Sequence, residues 1–346
     1  MRCDLTHDFE LSVVIVSYNT PLDTSHAISS VSAIECVKEI VIVINGDSKK
    51  EQGEYKKINE KVREIQLDQN YGFAIGVNVG VLNAKCDYVL VLNSDASFLD
   101  GNLAQVVSEM RNGDVSLCQL DVRKSHPLAE QEIAFSDGKG AYLDIFGNLY
   151  HHNFFPSLRK SNEMIEAQPF AIKGAVFIVH KPDFIAVGMF DSSFWCYWEE
   201  SDICHRLVIL GKRFTFSSAA IFLHLGGKSS QKKSLEFKKI TYNLANKLSS
   251  HCKNFGPLTL LWLIPSHLVW STCFGVLSLF LFRPIFFVAA LVSPLIVLTR
   301  VPIILNDRRN VQKRRVMSDA LFFQQHIIRP SFKFYFTLLK GFVSGQ

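Results

Sequence analysis

Short β-branched apolar runs alternate with longer mixed stretches through the first 120 positions. Runs at 12–17, 39–44, 62–67, 88–92 and 115–119 predict strands, and 22–34, 48–61, 73–84 and 102–111 predict helices between them. Strand and helix in alternation give βα units, so an α/β domain with a mostly parallel central sheet is expected. Positions 121–170 lose this periodicity and gain Gly, His, Asn and Pro, which predicts long loops over a substrate cleft. Regular pattern returns at 170–179, then as a helix over 199–210 and strands at 213–217 and 220–225.

A different pattern follows. From Phe255 to Phe282 the chain is almost wholly apolar, and after Arg283 and Pro284 a second apolar run continues to Thr299. Each run approaches the roughly 20 residues that span a bilayer as a helix. A hydrophobic helical hairpin at 255–305 is expected to enter the membrane; Pro265, His267 and Pro294 leave a re-entrant or interfacial hairpin as a competing form, and a soluble core hairpin is the other alternative.

At 346 residues the chain exceeds one simple domain, so a catalytic domain of roughly 220 to 250 residues with an appended segment fits. The net charge of +5 is modest, but basic residues crowd both flanks of the apolar tract: Lys228, Lys232, Lys233, Lys238, Lys239, Lys247 and Lys253 before it, Arg300, Arg308, Arg309, Lys313, Arg314 and Arg315 after it. Beside a tract without acids, such flanks favour membrane lipids over nucleic acid, and no nucleic-acid partner is expected. The eight cysteines show no CxxC pair and read as reduced thiols. Positions 1–10 lack the basic start of a secretory signal, so the catalytic part is expected in the cytoplasm, with both ends of the hairpin facing it.

Candidate chemistry gathers at strand ends. The run at 88–92 stops in Asn93, Ser94 and Asp95, and ligands of open α/β sheets bind beyond the carboxyl ends of strands. The plain alternative for Asp95 is a turn or helix cap. Ser17, Tyr18 and Asn19 end the first strand, and Asn45 and Asp47 follow the second. Asn70, Gly72 and Phe73, with Asn78 beyond, join the third strand to its helix, where glycine permits close backbone approach and a helix N-terminus favours an anion. Farther on, Trp195, Tyr197 and Trp198 precede Glu199, Glu200 and Asp202. Aromatic rings pack sugar faces, and a neighbouring carboxylate can take a hydroxyl proton.

The segments VVIVSYN, INGDS, NYGFAIGVN, LVLNSDA, KGAVFIV, VGMFDSSFWCYWEESDICHRL and HLGGKS occur in that order over roughly residues 10 to 230. The ordered series resembles the family 2 glycosyltransferases, inverting enzymes of the GT-A fold, and especially their bacterial rhamnosyltransferase-like branch. That resemblance implies a nucleotide-binding half at about 10–120 and an acceptor half at about 121–230. A basic linker helix at 231–254, the hairpin and a basic tail at 306–346 would follow.

The resemblance makes Asn93-Ser94-Asp95 the Asp-x-Asp-type element, with Asp95 binding a divalent cation, Mg or Mn, and His224 completing the metal or diphosphate site. Lys228 would meet phosphate oxygens. Glu200 occupies the base position, Glu199 or Asp202 could share its task, and Arg206 lies one turn from Asp202 to hold it in place. Gly174, Trp195, Tyr197, Trp198 and Arg206 fall on the acceptor side. One departure concerns the nucleobase: the family usually has an acid at the end of the second strand, where this chain has Ile44, leaving Asn45 and Asp47 as substitutes.

The expected reaction transfers a sugar from a nucleotide diphosphate donor, with dTDP-rhamnose nominated by the resemblance, to a polyprenyl-diphosphate-linked or glycan acceptor. The expected place is the cytoplasmic face of a bacterial inner membrane, in surface polysaccharide or O-antigen assembly. A nucleotidyltransferase is disfavoured because positions 17–20 hold no Gly-rich basic loop. A catalytically silent sugar-nucleotide-binding scaffold stays open because of Ile44 and Glu200.

Overall fold

The computed structural model describes residues 9–46, 51–124, 140–151, 167–225, 235–330, 334–335 and 340. In chain order the elements begin with β1 (Leu11–Ser17), α1 (Pro21–Ser32), β2 (Val37–Asn45), β3 (Val62–Leu67), α2 (Phe73–Asn83) and β4 (Tyr88–Asn93). Next come β5 (Ala96–Gly101), α3 (Leu103–Asn112), β6 (Leu117–Lys124), β7 (Ala141–Asp144), β8 (Leu149–His151), β9 (Val176–His180) and α4 (Lys181–Ala186). They end with α5 (Glu199–Ile209), β10 (Phe214–His224), α6 (Glu236–Asn254), α7 (Pro257–Phe280), α8 (Pro284–Thr299), α9 (Val301–Arg314), α10 (Asp319–His326) and β11 (Ile327–Ile328).

These elements form two compact units between which the chain passes repeatedly. The first comprises Met1–Lys139, Lys173–Trp195 and Lys212–Lys232; the second comprises Gly140–Ile172, Cys196–Gly211 and Lys233–Gln346.

The first unit is built on an eight-stranded sheet ordered β3-β2-β1-β4-β9-β6-β10-β5. Its β3-β2-β1-β4 side is parallel throughout, whereas β9 runs antiparallel to both β4 and β6, and β5 antiparallel to β10. Val13, Val14 and Ile15 of β1 are fully buried, as expected of a central strand covered on both faces. Burying each such side chain contributes about 1.5 to 3 kcal/mol. Helix α2 lies close on β1: a Cβ placed on Gly80 would come within 2.2 Å of Val14 Cγ1. Glycine at that point lets the helix carry the strand-end residues ahead of it close to the sheet.

Several expectations change here. The helix expected over 48–61 is, in its described part, turns and a single 3-10 turn at Tyr55–Lys57. The reason is a competing acceptor: the Glu64 carboxylate on β3 takes the backbone N–H groups of Gly53, Tyr55 and Lys56 at 2.6, 2.9 and 3.0 Å. The strands expected at 213–217 and 220–225 are one strand, β10, whose register against β6 shifts between Ser217 and Ile221. The stretch 121–170 is not all loop, since β6 runs to Lys124 and β7 and β8 pair antiparallel.

In the second unit β11, β7 and β8 form a three-stranded sheet. Buried Asp144 organises it: the carboxylate accepts from the N–H groups of Phe146 and Asn148, both at 2.8 Å, and from the hydroxyls of Tyr150 and Tyr335 at 2.9 and 3.0 Å. Helices α6 to α9 pack around Ala245, Leu248, Val297 and Ile304. Helix α7 is continuous through Pro265 and is long and apolar enough to cross a bilayer; α8 and α9 reach that standard only together, across a bend of 67°. The α7–α8 pair is a tight hairpin, for a Cβ on Gly275 would lie 3.1 Å from Phe287 Cα. The basic flank is thinner at the surface than the sequence suggests. Lys253 is buried on Asp202, Arg300 donates to Asn246, Arg308 to the carbonyls of Cys252 and Phe255, and Arg315 pairs with Asp319.

Candidate active site

The carboxyl ends of the first unit's strands converge on polar residues. Asp95 follows β4, and antiparallel pairing of β10 with β5 sets His224 opposite Ala96. Leu225 N–H donates to the Asp95 carbonyl at 3.0 Å. That ladder brings His224 Nε2 to 3.1 Å from Asp95 Oδ1, with both side chains mostly shielded. His224 Nδ1 and Asn93 Oδ1 are buried without a protein partner. A carboxylate and an imidazole together suit a divalent cation such as Mg or Mn. Among the described residues no three His, Cys, Asp or Glu side chains cluster into a complete cation cage. The donor set therefore fits an ion that takes its other ligands from phosphate oxygens and water.

Beside these strand ends lies a cavity of about 330 Å³ lined by Ser17, Tyr18, Asn19, Asn45 and Asn70, five of the residues expected to meet the donor, and by Ile44, Gly46, Glu51, Asp68 and Gln69. Their roles differ. Tyr18 is exposed, whereas the Ser17 hydroxyl is spent on Glu51 Oε2 at 2.8 Å. The Asn45 amide pins the turn that carries the glycine, donating to Gly72 O at 2.8 Å and accepting from Tyr71 N–H at 3.0 Å. Asn78 is a buried clamp on Phe190, donating to its carbonyl at 2.8 Å and accepting from its N–H at 3.1 Å. Ser94 accepts from Thr20 Oγ1 at 3.1 Å. Asp47 and Lys228 lie outside the described residues.

Two acids without a place in the sequence reading line this cavity. Ile44 is buried, and among the described residues the carboxylates lining the cavity are Glu51 and Asp68. Glu51 is tied to Ser17 and to Tyr55 Oη at 2.8 Å, while burial pushes the Tyr55 phenol up to about 12 and keeps it a neutral donor. Asp68 is exposed to the cavity directly after β3. An acid following a strand is the same signal that singled out Asp95.

Gly72 has φ +89°, and a Cβ there would meet Trp195 O at 2.1 Å, while Phe73 N–H donates to that same carbonyl at 3.0 Å. Gly72→Ala is expected to lower stability by about 2 to 4 kcal/mol through backbone strain and overlap. A urea titration of the two proteins checks it, and unchanged midpoints would refute the close approach.

In the second unit Tyr197 and Trp198 both adopt left-handed backbone, φ 65° and 74°, just before α5. Such conformations cost of order 1 kcal/mol or more each and persist only where neighbours enforce them. Asn246 enforces this one: its fully buried amide donates to the Cys196 and Tyr197 carbonyls, both at 2.9 Å, and accepts from Arg300 Nη1 at 2.8 Å. No local sequence signal links these distant positions. The bend starts α5 at Glu199, with Glu200 and Asp202 also in its first turn.

The three acids differ in chemistry. Glu199 is buried with Oε2 unpartnered, and burial, helped by the Glu200 charge, raises it well above the ordinary carboxylate range. Half-buried Glu200 is pushed up to about 7 by burial. Asp202 is fully buried beneath Arg206 Nη2 at 2.8 Å, Lys253 Nζ at 3.1 Å and Asn254 Nδ2 at 2.9 Å. Burial would raise its pKa, but the Lys253 and Arg206 charges more than offset that and hold it well below the ordinary range. Asp202, expected as a candidate base, is thus an ion-pair hub. Arg206, expected toward the acceptor, is buried on that hub. Gly174 lies in the turn before β9.

Residues 12–157 match the family profile Glycosyl transferase family 2. Over that stretch, less than half of the chain, the protein is similar to the family 2 glycosyltransferases. The chain is also 22% identical over 205 residues to the low-salt glycan biosynthesis hexosyltransferase Agl10 of Haloferax volcanii, covering 57% of this chain and 61% of that protein. Its fold resembles that of GalNAc-T7, solved with UDP, GalNAc and Mn2+, at a TM-score of 0.54 and 18% identity, covering 70% of this chain and 47% of that one. It likewise resembles the mannosyltransferase PcManGT of Pyrobaculum calidifontis, solved with GDP-Man and Mn2+, at a TM-score of 0.54 and 11% identity, covering 90% and 85%. At these identities the likeness establishes the mixed α/β, GT-A-like fold.

Proposed function

We propose that the glycosyltransferase moves a sugar from a nucleotide diphosphate donor to a hydroxyl of a lipid-linked or glycan acceptor, with inversion at the anomeric carbon. The observation that carries this reading is the Asp95–His224 pair, set 3.1 Å apart at the carboxyl end of the sheet beside the polar cavity. The two residues would hold a Mg or Mn ion, which when bound would offset the charge gained by the departing diphosphate. Asp68 and Glu51 are assigned to the nucleobase side, with Tyr18 facing the base or ribose. Glu200 is assigned as general base: the acceptor oxygen bonds to the anomeric carbon, the bond from that carbon to the diphosphate breaks, and the hydroxyl proton passes to the Glu200 carboxylate. Glu199 is the alternative proton acceptor beside it.

The resemblance to rhamnosyltransferases nominates a dTDP-deoxysugar, and the two similar structures were solved with UDP and with GDP-Man. Location at the cytoplasmic face of a bacterial inner membrane is part of the same proposal. It is supported by the exposed apolar face of the hairpin, where Leu258, Leu261, Leu298 and Phe282 all face outward.

The test is nucleotide diphosphate release by detergent-solubilised protein with Mg or Mn, across dTDP-, UDP- and GDP-sugars and a lipid-linked acceptor. Release that requires metal is expected, and Asp95→Ala is expected to lower it about 100- to 1,000-fold, the range for losing one electrostatic stabiliser. Donor binding without turnover on any acceptor would instead favour a silent scaffold.

A further inference from the structure

The second unit contains a cavity of about 530 Å³ that none of the assigned catalytic groups explains. On the side of α7 and α8 it is lined by Trp270, Phe274 and Phe286, and on the side of α6 by Lys239 and Lys247, with exposed Glu236 the only acid among its described lining residues. Lys247 is 7% exposed; its Nζ donates to Asn148 Oδ1 at 2.7 Å, leaving further N–H donors. His267, at 2% exposure, lines the same cavity with both ring nitrogens buried and unpartnered.

A buried polar group without a partner costs about 1 to 3 kcal/mol, so such a group in a roomy cavity points to a ligand. An ammonium and an imidazole together call for an anion. Aromatic and aliphatic walls call for hydrocarbon, and the cavity volume falls within the range that holds small ligands. Helix α7, which supplies His267 and Trp270, is also the helix long and apolar enough to enter a bilayer. Tyr197, three residues before Glu200, lines the cavity as well.

We propose that this cavity binds the phosphate-bearing end of a lipid-linked acceptor, with Lys247, His267 and Lys239 holding the phosphate and Trp270, Phe274 and Phe286 covering the start of the hydrocarbon chain. Burial pushes Lys247 down to about 8, against the pull of Asp144, so its amine stays mostly cationic at neutral pH and readily accepts a compensating anion. The acceptor role rests on the function proposed above; the binding site does not.

The test is calorimetric titration of the full chain in non-ionic detergent with farnesyl diphosphate, and with farnesol, inorganic diphosphate and phosphatidylglycerol vesicles in separate arms. Saturable farnesyl diphosphate binding is expected, weakened about ten- to a hundredfold by Lys247→Met and by His267→Phe, and less by Lys239→Gln at the half-buried rim. Farnesol and inorganic diphosphate are each expected to bind at least about tenfold more weakly than the joined molecule. GDP or UDP binding with Mn should be the same in all variants, which shows that they are folded. Equal farnesyl diphosphate affinity in wild type and variants, or effective competition by phosphatidylglycerol, would overturn the proposal. Should donor binding fail while farnesyl diphosphate binding depends on Lys247, the cavity stands and the transferase reading falls. Should a glycan acceptor turn over while these variants bind farnesyl diphosphate normally, the cavity assignment alone falls.

Discussion

Glu200→Gln is expected to lower kcat about 100- to 10,000-fold, the contribution of a positioned general base. The amide keeps the shape of the side chain but cannot accept the acceptor's proton. Donor affinity should hardly change, because the cavity proposed for the nucleotide is lined by Glu51 and by residues at the ends of β1, β2 and β3. The pH profile provides a second readout. With Glu200 pushed up to about 7 by burial, the carboxylate is ionised above that pH and protonated below it. Wild-type activity should therefore fall about tenfold per pH unit on the acid side. The residual activity of Glu200→Gln should lack that limb, and Glu199→Gln should retain it. The opposite pattern would transfer the base role to Glu199.

Asp202→Ala is expected to cost about 3 to 5 kcal/mol of stability, because it leaves buried cations without their anion. Lys253 and Arg206 are almost wholly enclosed, and the same carboxylate also receives Asn254 Nδ2. The hub joins α5 to α6, so its loss should loosen the helix that carries Glu199 and Glu200. Since the folded state holds Asp202 well below its ordinary pKa, its contribution is present above the ordinary carboxylate range. That contribution is lost as pH falls through the lower, folded value. Melting temperatures of wild type and Asp202→Ala compared at pH 7 and at about pH 2 test both points, the gap between them narrowing at the lower pH. A melting temperature unchanged by the substitution at pH 7 would contradict the hub.

The strands up to β4 were legible because each is a local apolar run ending in polar residues, and the pattern of burial along a strand is local. Asp95 stood out for the same reason. His224 could be paired with it only through the β5–β10 ladder, and β5, Ala96–Gly101, has too weak an apolar pattern to announce itself. The turn at 51–58 carries a helix-like pattern, but its N–H acceptor is a side chain on another strand, which no local pattern reveals. Lys253, Arg300 and Arg308 resemble a membrane-facing basic flank in the sequence. In the fold they serve Asp202, Asn246 and two backbone carbonyls.

The sequence alone determined the βα order, the strand-end acids and the apolar hairpin, all of which are written in hydrophobic period and composition over neighbouring residues. Only the tertiary structure decided that Asp202 is a buried ion-pair hub while Glu200 stays half-exposed, that Glu51 and Asp68 line the cavity at the strand ends, and that Lys247 and His267 share a second one. Whether a charged group is paired, solvated or stranded depends on residues far away in the chain, and its chemistry follows from that environment.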